Sequence, residues 1–344
     1  MRVLAWPAFR KAAANPHAAL LAGELRALGV DISDWTPVRA LVRPGQLWHI
    51  HLPETVVYRR SRLVAWSETL AFVLLLTLAR WRGTKMLWTI HDLGSNDQHH
   101  PRLEEWYWRW YVRHIDAVIA LSRDGLRLAL ARRPALAALP QHVIPHGHYR
   151  GAYPSELDRG TARRQLGIPD DAAVILNFGL IRPYKNVPHL IRTFADAAIA
   201  RSVLLIAGKP FDQAIEQEIE ATARAASAAD VRLQLGHIAT EDVQRYFLAA
   251  DLVALPYRRI LNSGAVILAL GFGRPVLVPD KGSMAEHQED YGDRWVRLYH
   301  GELGPEDLKG ALAWARETPR PAIDLGHLEW SALAVRTRDV YESL

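Results

Sequence analysis

Short apolar runs alternate with stretches of helical periodicity along this chain, and the alternation occurs twice. Such alternation is typical of β–α–β units, which build parallel sheets covered by helices. The first series of predicted strands covers residues 3–7, 46–52, 85–91, 117–121 and 142–145. The second series covers residues 173–178, 203–207, 231–235, 252–256 and 275–279. The sequence therefore predicts an α/β protein with two Rossmann-like units.

The stretch between the two series is rich in glycine and proline and lacks a strand pattern. We predict an N-terminal domain over residues 1–150, a linker over 151–169 and a C-terminal domain over 170–325. Residues 326–344 have apolar residues at helical spacing and are predicted to form a closing helix. Ligands of open α/β sheets bind at the carboxyl ends of the strands, so two facing units predict a central cleft.

The composition excludes several classes of chemistry. The chain has no cysteine, which rules out disulfides, Cys-ligated zinc and thiol nucleophiles. The net charge of +5 favours anionic partners such as a nucleotide diphosphate, a lipid diphosphate, a membrane surface or nucleic acid. The first residues run into a strand pattern without the apolar segment of a secretory signal, so we expect a cytoplasmic protein.

Two strand-to-helix turns in the second half have the composition of an anion site. In the first, Gly179 permits close backbone approach, while Arg182 and Lys185 supply cations before a predicted helix N-terminus. In the second, Tyr257 ends a strand and Asn262-Ser263-Gly264 starts a helix. Together the turns predict a diphosphate site. The alternative is a tight turn with two solvated cations.

These motifs resemble the C-terminal domain of family-4-like GT-B glycosyltransferases, over roughly residues 170–344. The resemblance rests on residues 179–194, on Ala207-Gly208-Lys209 and on residues 256–279. It implies a GT-B fold, Arg182 and Lys185 at the diphosphate of a nucleotide sugar, and Gly208 and Lys209 near the nucleotide.

One feature departs from that family. Its members usually carry two glutamates in the helix before a Gly-x-Pro-Val motif, where this chain has Asn262-Ser263-Gly264 and Leu268. Glu286 is the remaining candidate for a carboxylate that contacts the ribose or the sugar. The alternative is a surface glutamate at a helix start.

The predicted strand at 85–91 ends in His91-Asp92, which resembles the Thr-x-His motif of the same superfamily. Inverting glycosyl transfer needs a base, and Asp92 or His91 is the candidate. The alternatives are a histidine bonded to backbone and an N-cap aspartate. Weaker candidates are Asp97, His99 and His100. The spacing of His91, Asp92, His99 and His100 fits no compact zinc pattern. The chain also lacks the Asp-x-Asp motif of metal-dependent GT-A enzymes, so no metal site is predicted.

Two further positions are candidates for the acceptor side. His146 lies in a His-Gly turn after the last N-terminal strand, and it is similar to a turn that lies beside the cleft in the family. Asn15 follows the first strand, where many relatives have a glycine-rich loop. The simpler interpretations are a plain turn for His146 and an N-cap for Asn15.

The apolar stretch at residues 70–78 is shorter than the ~18 to 20 residues of a spanning helix. Arginines flank it, and residues 106–111 add interfacial aromatics, which together predict peripheral attachment to the inner face of the cell membrane. The alternative is a helix buried against its own sheet. No nucleic-acid motif accompanies the basic and aromatic residues, which argues against a nucleic-acid binding module.

Within the superfamily, the chain most resembles bacterial exopolysaccharide transferases, specifically the β-mannosyltransferases of xanthan-type assembly. The resemblance rests on residues 4–9 with Asn15-Pro16, on residues 91–93 and on residues 262–264. That resemblance implies GDP-mannose as donor, a polyprenyl-diphosphate-linked oligosaccharide as acceptor, and inversion at the anomeric carbon. One alternative is a retaining family-4-type transferase that uses another nucleotide sugar such as UDP-glucose. Another is a nucleotide-sugar epimerase or phosphorylase-like enzyme on the same scaffold.

Overall fold

The computed structural model describes residues 1–10, 16–94 and 99–344. They form two compact units, one of Met1–Gly147 with Gly326–Leu344 and one of His148–Leu325. This division differs from the prediction at the linker. Residues 151–169 belong to the second unit and include a helix at Arg159–Gln165, in which buried Arg163 pairs with Asp251 at 3.0 Å. That ion pair attaches the segment to its unit, so it is not a free connection.

In the described part of the first unit, six parallel strands form one sheet in the order β2-β1-β3-β4-β5-β6. The strands are β1 (Arg2–Trp6), β2 (Asp31–Asp34), β3 (Leu47–Ile50), β4 (Lys85–Ile90), β5 (Ala117–Ala120) and β6 (Gln141–Val143). The helices are α1 (His17–Ala27), α2 (Pro37–Val42), α3 (Arg62–Trp81), α4 (Pro101–Val112) and α5 (Arg123–Arg132). The central strands are buried on both faces, as expected where helices cover a parallel sheet.

The second unit has a sheet of the same kind, with strand order β12-β11-β10-β7-β8-β9. Its strands are β7 (Ala173–Phe178), β8 (Ser202–Gly208), β9 (Asp230–Leu235), β10 (Leu252–Ala254), β11 (Val276–Pro279) and β12 (Val296–Tyr299). Its helices are α6 (Arg159–Gln165), α7 (Val187–Ala197), α8 (Gln213–Ala225), α9 (Val243–Ala249), α10 (Gly264–Gly271), α11 (Met284–Tyr291) and α12 (Pro305–Glu317).

The last helix, α13 (Trp330–Glu342), lies in the core of the first unit. Leu333 and Val340 are buried in the same cluster as Val3, Leu87 and Ile119 of the sheet. Spacing of apolar residues at about one helical turn gives α13 its buried face. The predicted C-terminal helix is confirmed, and it completes the hydrophobic core that the N-terminal strands begin.

Helix α3 corrects the prediction for residues 70–78. The helix runs over 20 residues, and among the described residues it is the one helix long and apolar enough to cross a membrane by length and composition. Its two faces differ. One stripe is buried in the unit and comprises Ala65, Thr69, Phe72, Leu76 and Ala79. The opposite stripe is exposed and comprises Leu63, Leu70, Leu74 and Trp81.

Candidate functional site

Three loops of the second unit lie against one another at the carboxyl ends of neighbouring strands. They follow β7, β10 and β11, and β10 pairs with the other two strands. The Arg258 backbone N–H donates to the Tyr184 carbonyl at 2.8 Å, which joins the first loop to the second. The Ser283 N–H donates to the Leu261 carbonyl at 3.2 Å, which joins the second to the third. This edge is where open α/β sheets bind ligands.

Two glycines let the backbone segments after β7 and β8 touch. Gly179 has φ 106° and Gly208 has φ 144°, both in the region that favours glycine. A Cβ atom on Gly208 would lie 2.0 Å from the Gly179 carbonyl oxygen, where no side chain fits. The Gly179 N–H also donates to the Ala207 carbonyl at 2.9 Å. Both predicted positions are therefore fixed by close backbone approach.

The two predicted cations lie beside aromatic rings. The Lys185 ammonium is 5.6 Å from the Tyr257 ring centroid, and the Arg182 guanidinium is 4.3 Å from the Phe211 ring centroid. Burial, reinforced by the positive charge of Arg182, lowers the pKa of Lys185 to about 8. A bound anion would stabilise the charged form of Lys185 that burial disfavours. The arrangement is thus suited to a phosphate group.

The second predicted turn is organised around Ser263. Its hydroxyl accepts from the Val266 N–H at 3.4 Å and caps α10, which starts at Gly264. Ser263 also bonds the Tyr257 hydroxyl, whose pKa burial raises above its usual value. The Ser263 side chain thus serves the fold, and what the helix start can offer an anion is its backbone N–H groups. Asn262 lies half-buried directly before this cap.

Glu286 and Lys209 differ in exposure. Glu286 lies in the first turn of α11 and is only 8% exposed, so the interpretation as a surface glutamate is wrong. Lys209 follows β8, and its carbonyl accepts from the Ile181 N–H at 2.8 Å. The Lys209 residue itself is exposed. Lys209 thus contacts the first loop through its backbone carbonyl.

In the first unit, five histidines form a cluster at the carboxyl ends of the strands. His17 begins α1, and the others lie at or just after the ends of β3, β4 and β6, namely His49, His51, His91 and His146. The His51 Nδ1 atom is 3.1 Å from the His91 Nε2 atom. The ring centroids of His17 and His146 are 4.2 Å apart, and those of His49 and His51 are 4.1 Å apart.

The cluster keeps its imidazoles neutral. Burial lowers the pKa of His91 to about 3, and the neighbouring His146 lowers it further. Burial likewise lowers the pKa of His146 to about 4, against the opposing effect of a bond to the Gly147 carbonyl. Each imidazolium would face other imidazoles in a poorly solvated space, so protonation of any one disfavours protonation of the rest.

The other acceptor-side candidates lie in two places, one beside the histidine cluster and one away from it. The Asp92 carboxylate accepts from the Leu93 N–H at 2.8 Å, and Asp92 stays half-buried next to His91. The weaker candidates His99 and His100 do not join the cluster. His100 Nε2 is 2.9 Å from the Arg59 carbonyl, and His99 lies near the Tyr58 ring. The predictions for Asn15 and Asp97 lie outside the described residues.

Sequence reasoning missed the partnership of His17 and His51 with His91. The ligand-type nitrogens of these three residues lie within 4.8 Å of one another, although their positions in the chain follow no compact spacing. One signal was available. His51 and His91 each come directly after a strand, and β3 and β4 are neighbours, so both side chains reach the same edge of the sheet.

Comparison with known proteins shows the family of this chain. Residues 158–315 match the family described as glycosyl transferases group 1. The GDP-mannose:glycolipid 4-beta-D-mannosyltransferase of Xanthomonas campestris pv. campestris is 32% identical over 294 residues, covering 85% of this chain and 78% of that protein. The chain belongs to the group 1 glycosyltransferases.

Solved structures agree on the fold of this glycosyltransferase. Sucrose-phosphate synthase of Thermosynechococcus elongatus gives a TM-score of 0.74 at 18% identity, covering 99% of this chain and 98% of that one. HepE of Anabaena in complex with UDP and glucose gives 0.73 at 14% identity, covering all of both chains. The predicted GT-B class is confirmed. All the predicted donor residues lie within the matched family range.

A second relative matches a smaller part of the glycosyltransferase. D-inositol 3-phosphate glycosyltransferase 2 of Catenulispora acidiphila is 28% identical over 201 residues. The match covers 54% of this chain and 46% of that protein.

Proposed function

We propose that this glycosyltransferase moves mannose from GDP-mannose to a polyprenyl-diphosphate-linked oligosaccharide, with inversion, in exopolysaccharide assembly. The observation that carries the proposal is the 32% identity, over 85% of the chain, to a protein named GDP-mannose:glycolipid 4-beta-D-mannosyltransferase. The half-buried lysine and neighbouring arginine after β7 support it, because departure of a nucleoside diphosphate leaves negative charge that cations must stabilise.

In this proposal the donor diphosphate lies at the three joined loops of the second unit. Lys185 and Arg182 stabilise it, and the backbone at Gly179 and Gly208 approaches it closely. The N–H groups at the start of α10, from Gly264 onward, add further donors. These groups supply the positive charge that a metal ion would otherwise provide, so we propose that transfer needs no metal ion.

The remaining donor-side residues contact the sugar and the nucleoside. Tyr257 and Asn262 flank the cap of α10, and buried Glu286 supplies the carboxylate that bonds a ribose or sugar hydroxyl. Lys209 lies by the nucleotide.

On the acceptor side, we assign the general base to Asp92. The His91 Nε2 atom is already 3.1 Å from His51 Nδ1, so that nitrogen belongs to the buried cluster. Asp92 is the adjacent half-buried carboxylate, and it can accept the proton of an attacking hydroxyl. His91 then holds the strand end in place, while His146 and Asn15 contact the acceptor.

The exposed surface of α2 and α3 supports peripheral attachment to the cytoplasmic face of the membrane. Leu63, Leu74 and Trp81 are exposed to 83%, 60% and 85%, and Val42 of α2 is exposed to 75%. The Arg82 guanidinium donates to the Leu41 carbonyl at 2.9 Å, which ties the two helices together. An apolar stripe flanked by arginines is the composition of a helix that lies in the surface of an anionic leaflet.

The proposed transfer is tested with the purified full chain, chelator and radiolabelled donors. GDP-mannose, UDP-glucose and GDP-glucose are each incubated with synthetic polyprenyl-diphosphate-linked oligosaccharides. We expect label in the lipid fraction with GDP-mannose and not with the other donors. Preferred transfer from UDP-glucose would replace the proposal by the alternative of another nucleotide sugar. Conversion of GDP-mannose without any acceptor would instead indicate an epimerase.

A further inference from the structure

The three histidines His17, His51 and His91 come from three different elements and converge in one buried place. Their candidate ligand nitrogens all lie within 4.8 Å of one another. His17 and His51 are 4% exposed, and the rings of His17 and His91 are 5.1 Å apart in an edge-to-face arrangement. We propose that these three imidazoles form a binding site for Zn²⁺ or a similar divalent first-row metal ion.

The distances suit zinc. Two imidazole nitrogens bound to one tetrahedral Zn²⁺ at about 2.0–2.1 Å lie roughly 3.4 Å apart. The His51 Nδ1 and His91 Nε2 atoms are 3.1 Å apart, so this pair is already near that spacing. Small ring rotations bring the third nitrogen, which lies within 4.8 Å, to the same spacing. Three imidazoles leave one coordination position for water or another ligand.

The residues around the three histidines hold the rings in place. The His49 ring lies 4.1 Å from the His51 ring and is tilted against it by 34°. His49 is itself fixed at both nitrogens, with Tyr341 Oη at 2.6 Å from Nδ1 and Thr89 Oγ1 at 2.6 Å from Nε2. The Trp330 ring packs edge-on against His17 at 5.1 Å. Supporting contacts of this kind orient the ligands of protein metal sites.

The competing use of the same atoms is a hydrogen bond between neutral His51 and His91. In that bond one ring donates and the other accepts. A zinc ion would displace the proton of this hydrogen bond, because each of the two nitrogens can bind either the metal or the other ring. If the histidines form a metal site, added zinc binds to them. If they only bond each other, added zinc does not bind there.

Zinc at this site inhibits rather than assists transfer. This consequence rests on the proposed function, in which Asp92 next to His91 receives the acceptor proton. A divalent cation bound to His91 adds positive charge beside Asp92 and so weakens the tendency of that carboxylate to take up a proton. Zinc binding itself requires no sugar substrate, so its measurement is independent of the transferase assignment.

The test uses the untagged, chelator-treated full chain and Zn²⁺ alone, with binding measured by titration calorimetry and by metal content after dialysis. We expect one zinc per chain in the wild type. His17→Gln and His51→Gln should each weaken binding by more than about 100-fold, because loss of a direct ligand costs more than the loss of a residue that only orients one. The control His237→Gln, at an exposed histidine of the second unit, should bind as the wild type does. Equal zinc binding by the wild type and both site variants would overturn the proposal.

Co²⁺ offers a readout that does not depend on the variants folding. X-ray absorption and visible spectra of the wild-type Co²⁺ and Zn²⁺ complexes should show four-coordinate metal with three imidazole ligands. Fewer than three imidazoles, or the six-coordinate spectrum of a solvated ion, would contradict the site even if the variants failed to fold. Inhibition of mannosyl transfer by Zn²⁺, reversed by chelator in the wild type, is a separate measurement.

Discussion

Gly208 lies against the carbonyl of Gly179, with its absent Cβ position only 2.0 Å from that oxygen. The contact joins the ends of β7 and β8, whose backbones are also paired along the length of both strands. Because the Lys185 ammonium lies beside Gly179 in turn, the placement of the donor cation depends on this backbone contact. A glycine motif that looks like a flexible turn is thus a rigid support for the site.

Replacing Gly208 should separate the steric effect from the effect of backbone conformation. Gly236 has the same φ of 144° as Gly208, but a Cβ atom there would meet nothing within 4 Å. We expect Gly236→Ala to show the conformational cost alone, and Gly208→Ala to lose about 1–3 kcal/mol more because the two backbones must separate. Denaturant unfolding of both variants measures the difference. Equal destabilisation would show that the contact is not rigid.

Lys185 should give transfer an alkaline limit. Its pKa is lowered to about 8, so the ammonium is charged below that pH and loses its proton above it. We expect kcat/KM for GDP-mannose to fall as pH rises through about 8. In Arg182→Ala the nearby positive charge is gone, so the falling limb should move to higher pH, and activity should fall as well.

Removing the Lys185 ammonium should lower kcat by about 10² to 10³-fold, because the leaving diphosphate loses a preorganised cation. Lys185→Gln keeps the length of the side chain and is compared with Lys309→Gln at the exposed surface of α12. A Lys185→Gln enzyme with wild-type kcat and an unchanged pH profile would place the diphosphate elsewhere.

The exposed stripe of α3 should determine binding to lipid. Leu74→Glu and Trp81→Glu place carboxylates on that stripe without touching the buried one, which includes Phe72 and Leu76. We expect flotation with phosphatidylglycerol vesicles to drop at least about 10-fold, since apolar contact is lost and charge repulsion is added. Val335→Glu, at an exposed position on α13, is the matched control. Unchanged flotation of the α3 variants would restrict this helix to a structural role.

Asp92 and His91 should respond differently to substitution. Asp92→Asn removes the proposed base and keeps the shape of the side chain, so we expect kcat to fall by about 10² to 10⁴-fold with little change in the KM for donor. His91→Gln should disturb the cluster with His51 and lower thermal stability as well as activity. If His91→Gln instead abolished transfer in a stable protein while Asp92→Asn stayed active, the base would be His91.

The sequence predicted most of the strands because buried parallel strands are continuous apolar runs, as in Ala117–Ala120. It missed β2 and β12, since DISD and VRLY contain charged residues and do not read as buried runs. Both are edge strands of their sheets, where one side needs no strand partner. Helices α5 and α12 were also missed, although Ser122 and Gly304 mark their starts.

The candidate site was predictable where local chemistry sets it. Strand-end glycines, cations and a serine cap mark the loops that we propose to bind the donor, because each of these features follows from neighbours in sequence. The histidine cluster was not predictable in this way. It depends on the pairing of β3 with β4 and on the position of His17 at the start of α1. It also depends on Trp330, which is distant in sequence and packs against His17. The burial of Glu286 likewise depends on tertiary packing that no local pattern indicates.

The anomeric configuration of the product tests the central claim most directly. Mannose transferred by the full chain from GDP-mannose to a polyprenyl-diphosphate-linked oligosaccharide is examined by NMR through its one-bond C1–H1 coupling. We expect a β-linked mannose, because an inverting base converts the α-linked donor to a β-linked product. An α-linked product would contradict inversion and the role of Asp92, and would assign the chain to the retaining transferases.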